Sequence, residues 1–165
     1  VGAQLIGHQH HDDVASLGGR GVKVREINLY DLCIELLQTR EGSGDSTSLW
    51  DDILRIEADV DKDNLLELLQ NVLGIEDYLI PAITERLRGS DHDVLFLCGI
   101  GEVFPYIRSH NVLNNLQSTA KDKPTVLFFP GEYRHSLAQG ASLELFGLLH
   151  DDKYYRAFNI FETQA

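Results

Sequence analysis

Two short apolar runs limit what this chain can fold into more than any other feature. His92-Asp-Val-Leu-Phe-Leu-Cys98 and Pro124-Thr-Val-Leu-Phe-Phe-Pro130 hold almost no polar alternation. Neither approaches the ~20 apolar residues that a helix needs to cross a bilayer. Both match strands buried on the two faces of a parallel sheet, where neither side of the pleat meets water. Around them the apolar spacing switches to the helical period. Strands alternating with helices predict an α/β fold: three layers, with a mainly parallel sheet flanked by helices.

The same reading extends along the chain. Val22-Lys-Val-Arg-Glu-Ile27 alternates at period two and predicts a half-buried strand. Leu29, Leu32, Cys33, Leu36 and Leu37 then share one face of a helix over about 29–40. Residues 3–17 are expected to form an earlier helix, ended by Gly18, Gly19 and Gly21. Residues 42–48 have the composition of a flexible, exposed loop within one domain that spans 1–165. Helices are expected at about 48–58, 61–73 and 75–88. Asp61 should cap the second, whose broad apolar face comprises Leu65, Leu66, Leu68, Leu69, Val72 and Leu73. Pro81 should kink the third or mark its true first turn. A further helix is expected from 105 to about 120, a strand or helix at 143–149, and a last strand at 154–161.

Composition excludes several classes of function. The 165 residues are 43% hydrophobic and 24% charged, the balance of an ordered globular protein. Fourteen basic residues against 26 acidic ones leave a net charge of −12, which repels phosphate backbones, so direct nucleic-acid binding is not expected. Cys33 and Cys98 form neither a disulfide framework nor a CxxC pair, and both lie in apolar stretches. That usage fits a reducing cytosol, and neither a membrane span nor a secretion signal is visible, so a cytoplasmic location is expected. The chain starts at Val1 and contains no methionine, which predicts either a fragment or lost methionine positions.

The stretch Cys98-Gly-Ile-Gly-Glu-Val-Phe-Pro-Tyr-Ile-Arg-Ser-His110 carries the most functional information. It sets a glycine turn, Gly99 and Gly101, at the carboxyl end of a buried strand, where open α/β sheets form binding crevices. A helix N-terminus there would offer N–H groups to a phosphate or carboxylate. The outline is P-loop-NTPase-like or Rossmann-like without a Walker A loop. Phe104 stands where a dinucleotide fingerprint needs its third glycine, and no GK[ST] follows. Degenerate nucleotide binding or hydrolysis at Gly99–Gly101 is thus one reading, and a tight βα turn the other.

Arg108, His110, Asn114 and Asn115 follow at helical offsets, Arg108 with Asn115 on one face and His110 with Asn114 on another. Such a stripe is either a wet helix face or a partner surface. Glu132 and Tyr133, after Pro130 and Gly131, are expected on the same rim as Gly99 and Glu102. Two carboxylates there can serve acid–base chemistry, although no nucleophile accompanies them. His8, His10 and His11 lack the separated second pair of a structural zinc site, and no metal is expected. Asp151-Asp-Lys-Tyr-Tyr-Arg156 combines charge with aromatics, as interfaces do, and reads equally as a turn entering a strand.

Taken in order, several segments resemble one family. They are Ile27-Asn-Leu-Tyr-Asp-Leu32, Val94-Leu-Phe-Leu-Cys-Gly-Ile-Gly-Glu-Val-Phe-Pro-Tyr-Ile-Arg-Ser-His-Asn-Val-Leu-Asn-Asn-Leu116, Val126-Leu-Phe-Phe-Pro-Gly-Glu-Tyr133, Leu145-Phe-Gly147 and Tyr154-Tyr-Arg-Ala-Phe158. The resemblance is to BrxB, a small component of bacterial BREX phage-exclusion systems, and it covers about residues 22–161. It implies a cytosolic protein encoded beside a methyltransferase, a large ATPase and the phosphatase-like PglZ. It further implies an assembly component with no established enzymatic activity and no cofactor, with PglZ the first partner to expect and other BREX subunits next. The motif positions it carries are Gly99, Gly101, Pro105, Arg108, His110, Asn114, Asn115, Pro130, Gly131, Tyr154, Tyr155 and Arg156.

Overall fold

A computed structural model of the chain describes residues 21–120, 122–136, 140–145, 149–150 and 160. The element order is β1 (Val24–Asn28), α1 (Leu29–Thr39), α2 (Leu49–Ile56), α3 (Lys62–Val72), a π-helical turn (Ile75–Leu79) and α4 (Ile80–Leu87). Then come β2 (Val94–Cys98), α5 (Ser109–Thr119), β3 (Thr125–Leu127), β4 (Gly131–Ser136), β5 (Gly140–Leu145) and β6 (Leu149–His150). The fold is α/β. The expected helix at 3–17 and the strand at 154–161 lie outside the described residues.

β1, β2 and β3 form a parallel sheet in that order, with Asn28 opposite Cys98 and Leu97 opposite Leu127. Val94, Leu95, Phe96 and Leu97 are all buried, so both faces of the central strand are covered, as its unbroken apolar run requires. On one face Ile27, Leu95 and Leu97 join Leu29 and Leu32 of α1, Ile83 of α4 and Val112 of α5 in the core. Each such side chain contributes about 1.5–3 kcal/mol by leaving water. On the other face Phe96 meets Phe128 edge to face, 5.1 Å between ring centroids.

Several expectations change with tertiary context. The helix expected from residue 105 begins at Ser109, because Ile100, Val103 and Ile107 are drawn into the core and pin residues 99–108 as an irregular loop. Pro105, which lacks an N–H, and the restriction it puts on Phe104 oppose an earlier start. The strand expected over 124–130 is regular only at Thr125–Leu127, and those residues are half-buried, since β3 pairs with one neighbour in the described sheet. Residues 131–136 do not close that strand. They open β4, in a separate antiparallel sheet ordered β4-β5-β6. Only three residues separate Ser136 from Gly140, too few for a parallel crossover. The parallel arrangement therefore holds for β1–β3 and not for the second sheet.

Helix ends follow local chemistry. Asp61 caps α3, accepting from the N–H groups of Asp63 and Asn64 at 3.0 and 2.9 Å. No residue of α3 is fully buried, so its expected apolar face is only half covered, with Leu73 buried just beyond its end. A π turn precedes α4, and Pro81 sits in that helix's first turn. Residues 42–48, most of them exposed, are tied to their flanks by hydrogen bonds. The Ser43 N–H donates to Asp52 at 2.6 Å, the Leu49 N–H to the Arg40 carbonyl at 3.0 Å, and Ser48 and Asp51 form a reciprocal capping box.

These caps make a pH prediction. Hydrogen bonds from Thr47 and then Ser48 hold the Asp51 carboxyl below its ordinary 3.8, and the Asn64 N–H does the same for Asp61. A carboxyl depressed by folding adds stability above its unfolded value and loses that contribution as pH falls through the folded value. Helicity measured by circular dichroism is expected to fall from about pH 4 downward, before the core opens. Asp61→Asn, which keeps an acceptor, should flatten the part of that fall due to α3.

Candidate functional site: the carboxyl rim and its groove

Asn28 ends β1 and caps α1, its Oδ1 accepting from the N–H groups of Tyr30 at 2.9 Å and Asp31 at 3.3 Å. Gly99 follows β2 directly beside it, with φ of +77°. A Cβ on Gly99 would lie 2.4 Å from Asn28 Oδ1 and 3.1 Å from the Tyr30 nitrogen. The glycine turn is thus filled by the neighbouring helix cap. Its next contact is a turn, the Glu102 N–H donating to the Gly99 carbonyl at 3.2 Å, and the next helix starts only at Ser109. The helix N-terminus that does lie beside Gly99 is that of α1, and Asn28 already accepts from its Tyr30 and Asp31 N–H groups. Gly101 is half-buried, whereas Glu102 and Pro105 are exposed on the rim.

Thiol chemistry is suppressed at this edge. Burial, then a hydrogen bond to Glu26 at 3.4 Å, pushes the Cys98 thiol up to about 12. Burial alone pushes Cys33 to about 12. Both thiols stay protonated at neutral pH, where only a thiolate is an effective nucleophile. Burial likewise raises the Tyr106 phenol to about 12, and its hydroxyl donates to the Glu102 carbonyl at 3.3 Å. Among the described residues no group of three or more His, Cys, Asp or Glu is placed to hold a metal ion. His8, His10 and His11 lie outside them.

Below the rim runs an open groove of about 490 Å³. One wall is Gln70, Ile75, Glu76 and Asp77, from the end of α3 and the π turn; the other is Tyr106, Arg108, Asn111 and Asn115, from the pinned loop and α5. Arg40 supports the first wall, its guanidinium 3.5 Å above the Tyr78 ring and hydrogen-bonded to the Val72 carbonyl. On the second wall Asn115 Nδ2 donates to the Asn111 carbonyl at 2.9 Å. Arg108 is exposed at the N-cap position of α5, and its side chain makes no cap bond.

The groove brings together two of the residues singled out from sequence, Arg108 and Asn115. None of the others whose side chain the structure describes lines it. Asn114 is exposed and His110 half-buried on α5. Pro130 is half-buried at the sheet edge, and a Cβ on Gly131 would lie 2.1 Å from the Glu144 carbonyl, so cross-strand pairing demands glycine there. Glu132 and Tyr133 belong to β4, with Glu132 opposite Glu144. Tyr154, Tyr155 and Arg156 lie outside the described residues. Asn111 was detectable as the residue one turn before Asn115. Gln70, Glu76 and Asp77 carried no local signal, because their role depends on packing against a helix more than 30 residues away.

A family model described as BREX protein BrxB matches residues 25–160. The chain belongs to the BrxB family. Two BrxB relatives are described as "BREX protein BrxB". That of Bacillus cereus (strain H3081.97) is 34% identical over 142 residues, covering 84% of this chain and 67% of the relative. That of Escherichia coli O9:H4 (strain HS) is 24% identical over 134 residues, covering 81% of this chain and 60% of the relative. No solved structure matches. As a BrxB protein the chain is a BREX component with a role in bacterial defence. Among the described residues no helix is long and apolar enough to cross a membrane.

Proposed function

We propose that this BrxB chain is a non-catalytic interaction component of its BREX system that docks a larger BREX protein, PglZ first among them, in the cytoplasm. The docking surface is the rim at the carboxyl edge of β1–β3 together with the groove beneath it, and Arg108 is its central residue. One observation carries this reading: Arg108 stands exposed over a groove, on a loop fixed in place by Ile100, Val103 and Ile107. An arginine held this way on a rigid support is the kind of side chain that supplies binding energy at interfaces.

Arg108→Glu is expected to leave thermal unfolding unchanged, since the side chain is exposed and bears no cap bond. It is expected to abolish co-purification with PglZ from a host expressing the whole system. Co-purification at the level of the unaltered chain would count decisively against docking at this rim.

A further inference from the structure

The charges around the groove have opposite signs on its two walls, and among the described residues none of them is spent internally. Glu76 and Asp77 stand on one side and Arg108 on the other, and none of the three takes part in an ion pair. Nor do the side chains of Gln70 and Asn111 make a hydrogen bond to any described residue. A lining dominated by charges and amides is unlike small-molecule pockets, which are mostly apolar with a few polar groups. It is equally poor for nucleic acid, which Glu76, Asp77 and the net charge of −12 repel. Amide side chains that can both donate and accept suit a polypeptide backbone, whose N–H and C=O groups each need a partner.

We infer that the groove receives an extended segment of the partner protein in which an acidic residue directly neighbours a lysine or arginine. In an extended chain successive side chains point to opposite sides. Neighbouring acid and base therefore reach opposite walls, the acid to Arg108 and the base to Glu76 and Asp77, while Gln70 and Asn111 meet the backbone between them. Asn115 stands beside Asn111 on the same wall. Arg40, stacked on Tyr78 and hydrogen-bonded to the Val72 carbonyl, ties the acidic wall to the end of α1. This inference rests on the docking role proposed above and adds the chemistry of what is docked.

The test uses the full chain against overlapping 12-residue peptides that tile the BREX protein co-purifying with it. The unaltered chain is expected to retain peptides holding an acid–base neighbour pair. Arg108→Glu alone, and Glu76→Arg with Asp77→Arg, should each weaken that retention at least about tenfold at low salt. The triple variant, with both walls reversed, should recover retention for peptides whose acid and base have been exchanged. All the altered residues are exposed, and unchanged thermal unfolding confirms that each variant folds. The inference is overturned if no peptide is retained, if retained peptides lack the neighbour pair, or if reversing Glu76 and Asp77 changes nothing. If Arg108→Glu releases the partner while reversal of the acidic wall does not, rim docking stands and the two-wall reading falls. If Arg108→Glu releases nothing, both fall. Self-association of the chain through the groove, or retention of duplex DNA sensitive to Arg108, would also overturn it.

Discussion

Gly99→Ala is expected to destabilise the fold by about 3 kcal/mol or more, among the largest effects of any single methyl group in this chain. Two costs combine. A non-glycine residue held in the left-handed region costs about 1–3 kcal/mol. The new Cβ would also sit 2.4 Å from Asn28 Oδ1, so the cap on α1 must move. Losing an asparagine cap costs about 1 kcal/mol. Against a total stability of about 5–15 kcal/mol for a domain, the variant should show a much lower urea midpoint. A double-mutant cycle separates the two costs. In an Asn28→Ala background the closest collision, with Asn28 Oδ1, is gone while the 3.1 Å contact with the Tyr30 nitrogen stays, so Gly99→Ala should cost less, by about 1 kcal/mol. Strict additivity would show that the cap does not set the glycine requirement, and a loss under about 1 kcal/mol would show that the turn tolerates a side chain.

Ile107→Ala should have a comparable effect on stability and a larger one on binding. Ile107 is buried together with Ile100 and Val103, and these three side chains tie the loop between β2 and α5 to the core. Cavity formation at such a site costs about 2–5 kcal/mol. The same loop carries Tyr106 and Arg108 into the groove, so loosening it spreads Arg108 over many positions. Measured well below the unfolding midpoint, co-purification with the BREX partner is expected to drop sharply although Arg108 itself is intact. Truncating Ile83 on α4, equally buried but outside that loop, is the control: similar loss of stability with binding retained. Equal loss of binding in both variants would mean that the loop has no special positioning role.

Much of the architecture was legible in order along the chain. The run from His92 to Cys98 matches a strand covered on both sides, and Val94 to Leu97 are buried on both faces. Asp61, placed just before a leucine-rich helical period, caps α3 as its side-chain chemistry dictates. Pro81 fell in the first turn of α4, where a missing N–H does no harm. The stretch after Gly99 was harder. Its apolar residues Ile100, Val103 and Ile107 repeat at helical spacing, yet the core claims them from an irregular loop. Residues 130–133 looked like the end of a strand because a Pro-Gly pair usually breaks one. Here the chain turns away and pairs with β5 instead.

The sequence alone therefore determined the strands and helices whose cues lie within a few residues: apolar period, cap, glycine turn and the order of the family's motifs. Only the tertiary structure decided which residues meet. Gly99 touches Asn28 because parallel register sets Cys98 opposite Asn28, about 70 residues earlier. Glu76 and Asp77 face Arg108 because the π turn packs along α5 beneath the sheet's edge. Local cues act through backbone geometry and nearby hydrogen bonds, whereas a groove exists only once distant elements have closed over a shared core.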